Sequence, residues 1–378
     1  MIYLDNAATT LIKPPEVEAA VCEAMRTCAN AGRGGHSAAM AAADRLFECR
    51  EAAAELFGIE NPEQVVFTLN ATHALNIAIK GVMRGGGHCV ISGYEHNSVA
   101  RPLKAMEAQG VRFTAAHSRL FDPEDALRAF REALQEDTKC VVCTHVSNAF
   151  GYILPIEEID ALCFARGIPL IIDAAQSAGS IPVKLNRLRA AQYVCAPGHK
   201  GLYGPQGTGL LICREEGSLP SLMEGGTGSQ SGDLEQPDFL PDRQESGTQN
   251  IHGVAGLCEG IRYVQRIGED AICQYEHALI AHAVDVLHGL DGVTVYTAED
   301  SALQSGVLSL NLAGKSAEDV AWALDSYDIA VRGGMHCTPL AHKSADTRYG
   351  TVRVSVSWFS TDEDIEQLGR AVAEICKS

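Results

Sequence analysis

The stretch from Ile168 to Lys200 constrains the chain most. It opens with IPLIIDAAQS, an apolar run of the kind buried in a parallel sheet, which ends on an acid at Asp173 and a polar amide at Gln176. It closes with AQYVCAPGHKGLYGP, a second short apolar run that delivers His199 and Lys200 into a Gly/Pro-rich loop. Two strands of a parallel sheet send their loops over the same carboxyl edge, which is where open α/β sheets bind ligands. Asp173 and Lys200 are therefore expected to meet across one pocket of an α/β protein.

With 378 residues the chain can bury a large core and is expected to form two lobes. A hydrophobic fraction of 46% with 21% charged residues sets aside disorder and coiled coil. The formal net charge of −18 repels phosphate backbones and anionic lipid, arguing against nucleic acid and membrane as partners. The thirteen cysteines are odd in number, and most sit inside apolar patterns such as CVVC at 140 to 143 and LLIC at 210 to 213. They read as small buried hydrophobes in a reducing cytosol. Cys140 and Cys143, three apart on a strand, point to opposite faces and cannot close on one ion, and no metal site is expected. The start MIYLDNAATT shows no basic and then apolar leader, and no apolar segment is long enough to span a bilayer, so a cytoplasmic location is expected. GPQGTG at 204 to 209 and GGTGSQSG at 225 to 232 lack the lysine, hydroxyl and glycine spacing of nucleotide loops.

A lysine and an acid placed in this way suit one cofactor. Pyridoxal phosphate needs a lysine amine to hold its aldehyde, and an acid against the pyridine nitrogen to keep it protonated, which makes the ring an electron sink. DAAQS followed by GHKGLYGPQGTG resembles the class V aminotransferases. RGGMHC at Arg332 to Cys337 resembles the cysteine desulfurases with a short catalytic loop, the group that includes selenocysteine lyases. YLDNAATT at the N-terminus, RGGHS at Arg33 to Ser37, EHNSV at Glu95, THVSNAFG at Thr144 and ESGTQN at Glu245 extend the resemblance along almost the whole chain in the expected order. It implies an α/β fold like that of aspartate aminotransferase (fold type I), with a mostly parallel sheet. Residues 31–255 would form the large cofactor-binding domain and residues 256–378 a smaller α+β domain carrying the cysteine loop. Residues 1–30 would pack with the small domain and rim the active site.

QVVFTLN reads as a strand and ATHALNIAIKGVM as the helix after it, whose free N–H groups and positive dipole end make a phosphate cradle. The resemblance puts the cofactor phosphate there with Ala71 and Thr72 as donors; an ordinary N-cap accounts for Thr72 equally well. His96 follows another strand, and a flat imidazole can stack on the pyridine ring and exchange protons near neutral pH. The resemblance assigns it that place and acid/base work. It also implies that Asn148 contacts the substrate carboxylate or the ring hydroxyl, that Gln176 bonds the ring 3′-oxygen, and that His199 lies beside the phosphate. Thr248 would reach the phosphate of a partner subunit, which implies a homodimer. His36 is a candidate pocket residue, with a turn histidine as the alternative. Pro197 stands where the family usually has Ser or Thr before GHK, so a hydroxyl donor and a backbone N–H are lost to the phosphate.

Cys337 differs from the other cysteines in sitting in a Gly-rich loop flanked by Arg and His, where a nearby cation stabilises the nucleophilic thiolate. The resemblance makes it the nucleophile. Arg353 in TVRVS matches the arginine that grips the substrate carboxylate with its planar fork, and Arg332 is a further candidate there that supports the loop. The implied reaction turns L-cysteine into L-alanine: Lys200 removes the Cα proton and Cys337 takes the sulfur as a persulfide. A reductant or a sulfur-acceptor protein then receives it, in iron–sulfur cluster assembly or another pathway. The alternatives are a selenocysteine lyase acting on L-selenocysteine, another lyase or aminotransferase of the same cofactor, and a non-catalytic scaffold.

Overall fold

The structure is a computed structural model that describes residues 1–32, 34–215 and 219–377. Arg33, the first residue of the RGGHS motif, lies outside the described residues. Apolar runs bounded by turn residues become a seven-stranded sheet. Its spatial order is Val65–Thr68, Gly209–Cys213, Ala191–Pro197, Leu170–Asp173, Thr138–Thr144, Gly87–Ser92 and Val111–Ala116. All neighbours run parallel except the two pairs made by Gly209–Cys213, which is antiparallel on both sides. Every residue of Leu170–Asp173 is buried, as a strand covered on both faces must be, which is why LIID reads as a continuous run rather than an alternation.

Helices cover this sheet on two sides, giving one core around Phe57, Phe130 and Ile172 and another around Ile77, Met83 and Ile171. Cys143 falls in the first and Cys140 in the second, so the CVVC pair is split by the sheet. Cys140 Sγ instead lies 3.5 Å from both Cys89 Sγ and Met83 Sδ.

A second body holds an antiparallel four-stranded sheet in the order Arg332–Gly334, Thr351–Ser355, Val307–Leu312 and Val293–Tyr296. The helices Glu269–His288, Ala317–Asp325 and Asp362–Ile375 pack on it to form a third core. Ser316 caps the middle helix by accepting the Asp319 N–H. The long helical run toward this body breaks at Gly268, whose φ of 94° separates Ile251–Ile267 from Glu269–His288.

The N-terminal segment serves both bodies. Strand Ile2–Tyr3 pairs in parallel with Ile329–Ala330, and Leu4 enters the third core. Helix Pro15–Thr27, with proline in its first turn, lies instead on Ile251–Ile267. There Val21 comes so close to Gly256 that a Cβ would sit 2.7 Å from its methyl carbon. No helix among the described residues is long and apolar enough to cross a membrane.

Candidate active site

Each parallel strand delivers one loop to a common edge. Asp173 ends its strand and is 2% exposed; Lys200 follows the end of Ala191–Pro197. Both line one cavity together with Ala71, Thr72, His96, Asn148, Gln176 and His199. The eight residues come from five separate stretches of sequence, and the carboxyl edge of the sheet gathers them.

Burial sets the charges there. It pushes the Lys200 ammonium down to about 8, helped by the Arg353 guanidinium and opposed by Asp173. It raises the Asp173 carboxyl above the usual carboxylate range, while the Ala175 N–H at 2.9 Å pulls the other way. Behind Asp173 lies Glu95, wholly buried and pushed up to about 8 by burial and by Asp173. Its Oε1 accepts from Ser92 Oγ and from the Thr144 N–H, each at 2.6 Å. His199, which is 3.1 Å through Nδ1 from Thr9 Oγ1, is brought down to about 4 by burial and by Lys200.

His96 is held down to about 4 by burial first and Lys200 second, so its ring is neutral. Nδ1 accepts the Ser98 N–H at 3.0 Å, which places the ring proton on Nε2. Ser98 Oγ is 2.8 Å from that Nδ1 and 2.7 Å from Thr72 Oγ1. Ser98 also lines the cavity and is a residue that sequence reasoning missed; its place two after His96 in EHNSV was the available signal. Its hydroxyl stands in the same cavity wall as Pro197, where the hydroxyl before GHK is absent.

At the start of the Ala71–Val82 helix, Asn70 Oδ1 accepts the His73 N–H at 2.9 Å and the Asn70 carbonyl accepts the Ala74 N–H at 3.2 Å. The N–H groups of Ala71 and Thr72 take no acceptor among the described residues. Gln176 donates through Nε2 to the Ala7 carbonyl at 2.9 Å, which leaves Oε1 to the cavity side of the residue.

The cysteine loop arrives from the smaller body. Cys337 is exposed, and both it and His336 have left-handed backbones, with φ of 57° and 48°. Non-glycine residues adopt that region at a cost and hold it only when neighbours fix it. Here the neighbours belong to the large sheet. The Asn97 N–H donates to the Cys337 carbonyl at 2.8 Å, Asn148 Nδ2 donates to the His336 carbonyl at 2.8 Å, and Thr338 Oγ1 donates to the Glu95 carbonyl at 2.9 Å. The buried His336 ring, driven down to about 3 mainly by burial, bonds through Nε2 to the Thr351 carbonyl at 2.9 Å.

Arg353 is buried, with Nη1 donating to the Asn148 carbonyl at 3.0 Å and Nη2 to Asp5 Oδ1 at 2.8 Å; its Nε has no partner among the described residues. Arg332, half exposed, donates to the other oxygen of Asp5 at 2.9 Å. Asp5 therefore ties both arginines, a role the sequence reading did not give to any residue of YLDNAATT. Cys337, Arg353 and Arg332 are not among the residues that line the Lys200 cavity, and two further sequence candidates lie apart from it within this chain. His36 is exposed and caps the Ser37–Phe57 helix, its Nδ1 accepting the Ala39 N–H at 3.3 Å. Thr248 is exposed in a separate groove with Arg50 and Glu245.

The donor set fits pyridoxal phosphate. It offers unclaimed helix-start N–H groups, a buried acid, a neutral imidazole and a desolvated amine in one cavity. The sequence matches the family model for aminotransferase class-V over residues 2–368. A probable cysteine desulfurase of Methanothermobacter thermautotrophicus is 34% identical, over 99% of this chain and 94% of its own length. One of Pyrococcus abyssi is 33% identical, over 100% and 95%. Among solved structures, the apo cysteine desulfurase from Thermococcus onnurineus is similar with a TM-score of 0.90 at 32% identity, covering 100% of this chain and 94% of that one. With its matched span, relatives and fold in agreement, the chain belongs to the aminotransferase class-V family.

Proposed function

We infer that the chain is a pyridoxal-phosphate-dependent cysteine desulfurase that converts L-cysteine to L-alanine and retains the sulfur on Cys337 as a persulfide. One observation carries this reading: Asn148, in the wall of the Lys200 cavity, holds the backbone next to Cys337, and Asn97, beside His96, holds Cys337 itself. The amine and the thiol thus answer to one set of anchors.

When bound, pyridoxal phosphate supplies an electron sink for the substrate Cα. Ala71 and Thr72 would hold its phosphate, Asp173 its ring nitrogen, Gln176 its ring oxygen and His96 its ring face. His199 would flank the phosphate. Lys200, brought by burial close to neutral pH, takes the Cα proton onto Nζ. The substrate carboxylate docks on Arg353, whose Nε is unclaimed, with Asn148 and Arg332 at its sides. The Cys337 thiolate then attacks the substrate sulfur: an S–S bond forms, the substrate C–S bond breaks with its electron pair left on Cβ, and a proton delivered to Cβ together with the return of a proton to Cα gives alanine. Cys337 is exposed, as a thiol that passes sulfur to an acceptor protein must be. In this reading residues 256–378 are the lobe that carries the loop, and Thr248 completes the phosphate site of a partner subunit in a homodimer. Iron–sulfur cluster assembly is one destination for the sulfur.

The test is product analysis with L-cysteine and L-selenocysteine side by side, together with peptide mapping of Cys337. Alanine with a persulfide at Cys337 is the expected result from cysteine. Pyruvate in place of alanine, or turnover that leaves Cys337 unmodified, would refute the reading; a strong excess of turnover on selenocysteine would move it to selenocysteine lyase.

A further inference from the structure

Lys200 also borders a second cavity, lined by residues of the two lobes and of the N-terminal segment. Its wall includes Gln176, Tyr203, Ser305 and Glu276. Glu276 comes from the Glu269–His288 helix, is 9% exposed, and accepts no hydrogen bond from any described residue. A carboxyl group so placed is costly unless something answers it. Its Oε2 occupies the space where residue 306 would carry a Cβ, only 2.7 Å away, so Gly306 is what lets it face the cavity. Ser305 Oγ, on the same wall, is buried without a partner among the described residues. The cavity measures about 40 Å³, and since roughly 10–15 Å³ admits a water, more than one fits beside these orphaned groups.

We propose that Glu276 is the far end of a short water-filled proton relay that serves Lys200. The proposal rests on the reading of Lys200 as the base. After Lys200 has taken the Cα proton, one of its N–H bonds breaks toward the cavity water, which gives a proton of its own to the Glu276 carboxylate; the return step runs the same bonds in reverse. No electron changes hands, and no other reactant is needed. Burial brings Lys200 down to about 8 and Glu276 up to about 8, so transfer in either direction meets little opposing free energy. Tyr203 is the other titratable group on this wall among the described residues; burial and Glu276 push its phenol up, so it stays protonated, with its hydroxyl engaged in a hydrogen bond with the Trp358 backbone rather than passing protons. Glu276 touches no substrate and acts through Lys200, as a positioning residue.

The loaded protein given L-alanine labelled with deuterium at Cα, in ordinary water, is expected to release the label to solvent. Glu276→Gln, which keeps the shape of the acid, and Gly306→Ala, which displaces the acid without removing it, should retain the visible absorbance of the cofactor. Both should release the label about tenfold more slowly or worse; that is less than the loss of a direct acid or base, because solvent offers a slower detour. A parent protein that never releases the label strikes at Lys200 as the base and takes the relay with it. Release from folded variants at the parent rate overturns the relay alone, and either variant decides if the other does not fold. In the cofactor-free protein, the infrared difference between parent and Glu276→Gln should contain a protonated-carboxyl band that shifts in heavy water; its absence also overturns the proposal.

Discussion

The two halves of the site are built on opposite terms. Lys200 and Asp173 sit at the ends of buried parallel strands, and lost water disfavours the charged form of each. Cys337 is exposed, on a backbone that its own residues do not favour, and is fixed from outside by donors of the other lobe. The difference follows from the work proposed for each. An amine that must lose its proton near neutral pH gains from burial, whereas a thiol that must meet both a substrate and a second protein cannot be buried.

The sharpest way to break this comparison is to remove each centre in turn. Lys200→Ala should abolish the visible absorbance of the bound cofactor along with alanine formation. Cys337→Ser should keep the absorbance while sulfur release from cysteine falls by about a thousandfold. A serine variant that desulfurates cysteine normally would show that the exposed centre is not the nucleophile.

Next in size is the clasp between the lobes. Asp5→Asn leaves Arg353 buried with its charge unanswered, and about 3 kcal/mol of stability should be lost in denaturant titration. The burial of the amine can be read separately from its chemistry. Lys200 titrates near 8 in the folded protein against an ordinary 10.5, so between those values the unfolded chain binds more protons and stability rises with pH. Cofactor-free Lys200→Met should therefore exceed the cofactor-free parent by about 2–3 kcal/mol below pH 8. That margin should close as pH climbs toward 10.5, as measured by urea unfolding at several pH values. The smallest effect is expected at the anchor of the loop: Asn148→Ala removes one hydrogen bond of about 1 kcal/mol, and should lower alanine formation while leaving cofactor absorbance in place.

Much of the cofactor cavity was legible because buried strands announce themselves as apolar runs, and the residues that follow them in sequence must surface at the carboxyl edge. Asp173 and Lys200 were found in this way, whereas His96 and the Ala71–Thr72 helix start were assigned through the family resemblance; the break at Gly268 was read separately, within a helical run. Asp5 was not found, because its two arginine partners lie 327 and 348 residues away and meet it only once the N-terminal strand pairs with Ile329–Ala330. Ser98 was missed for a different reason: a serine in the first turn of a helix reads as routine capping chemistry until Thr72 is brought to 2.7 Å of it. Glu276 lies in an ordinary amphipathic helix, and nothing local marks it as an acid turned inward.

The left-handed backbone at His336 and Cys337 has one more consequence. Holding two such residues is unfavourable by about 1–3 kcal/mol each, and that burden is met by the rest of the molecule when it folds. The thiol proposed to carry the sulfur is thereby aimed in advance, and in that role no loose segment has to be brought to order at each turnover before it can react.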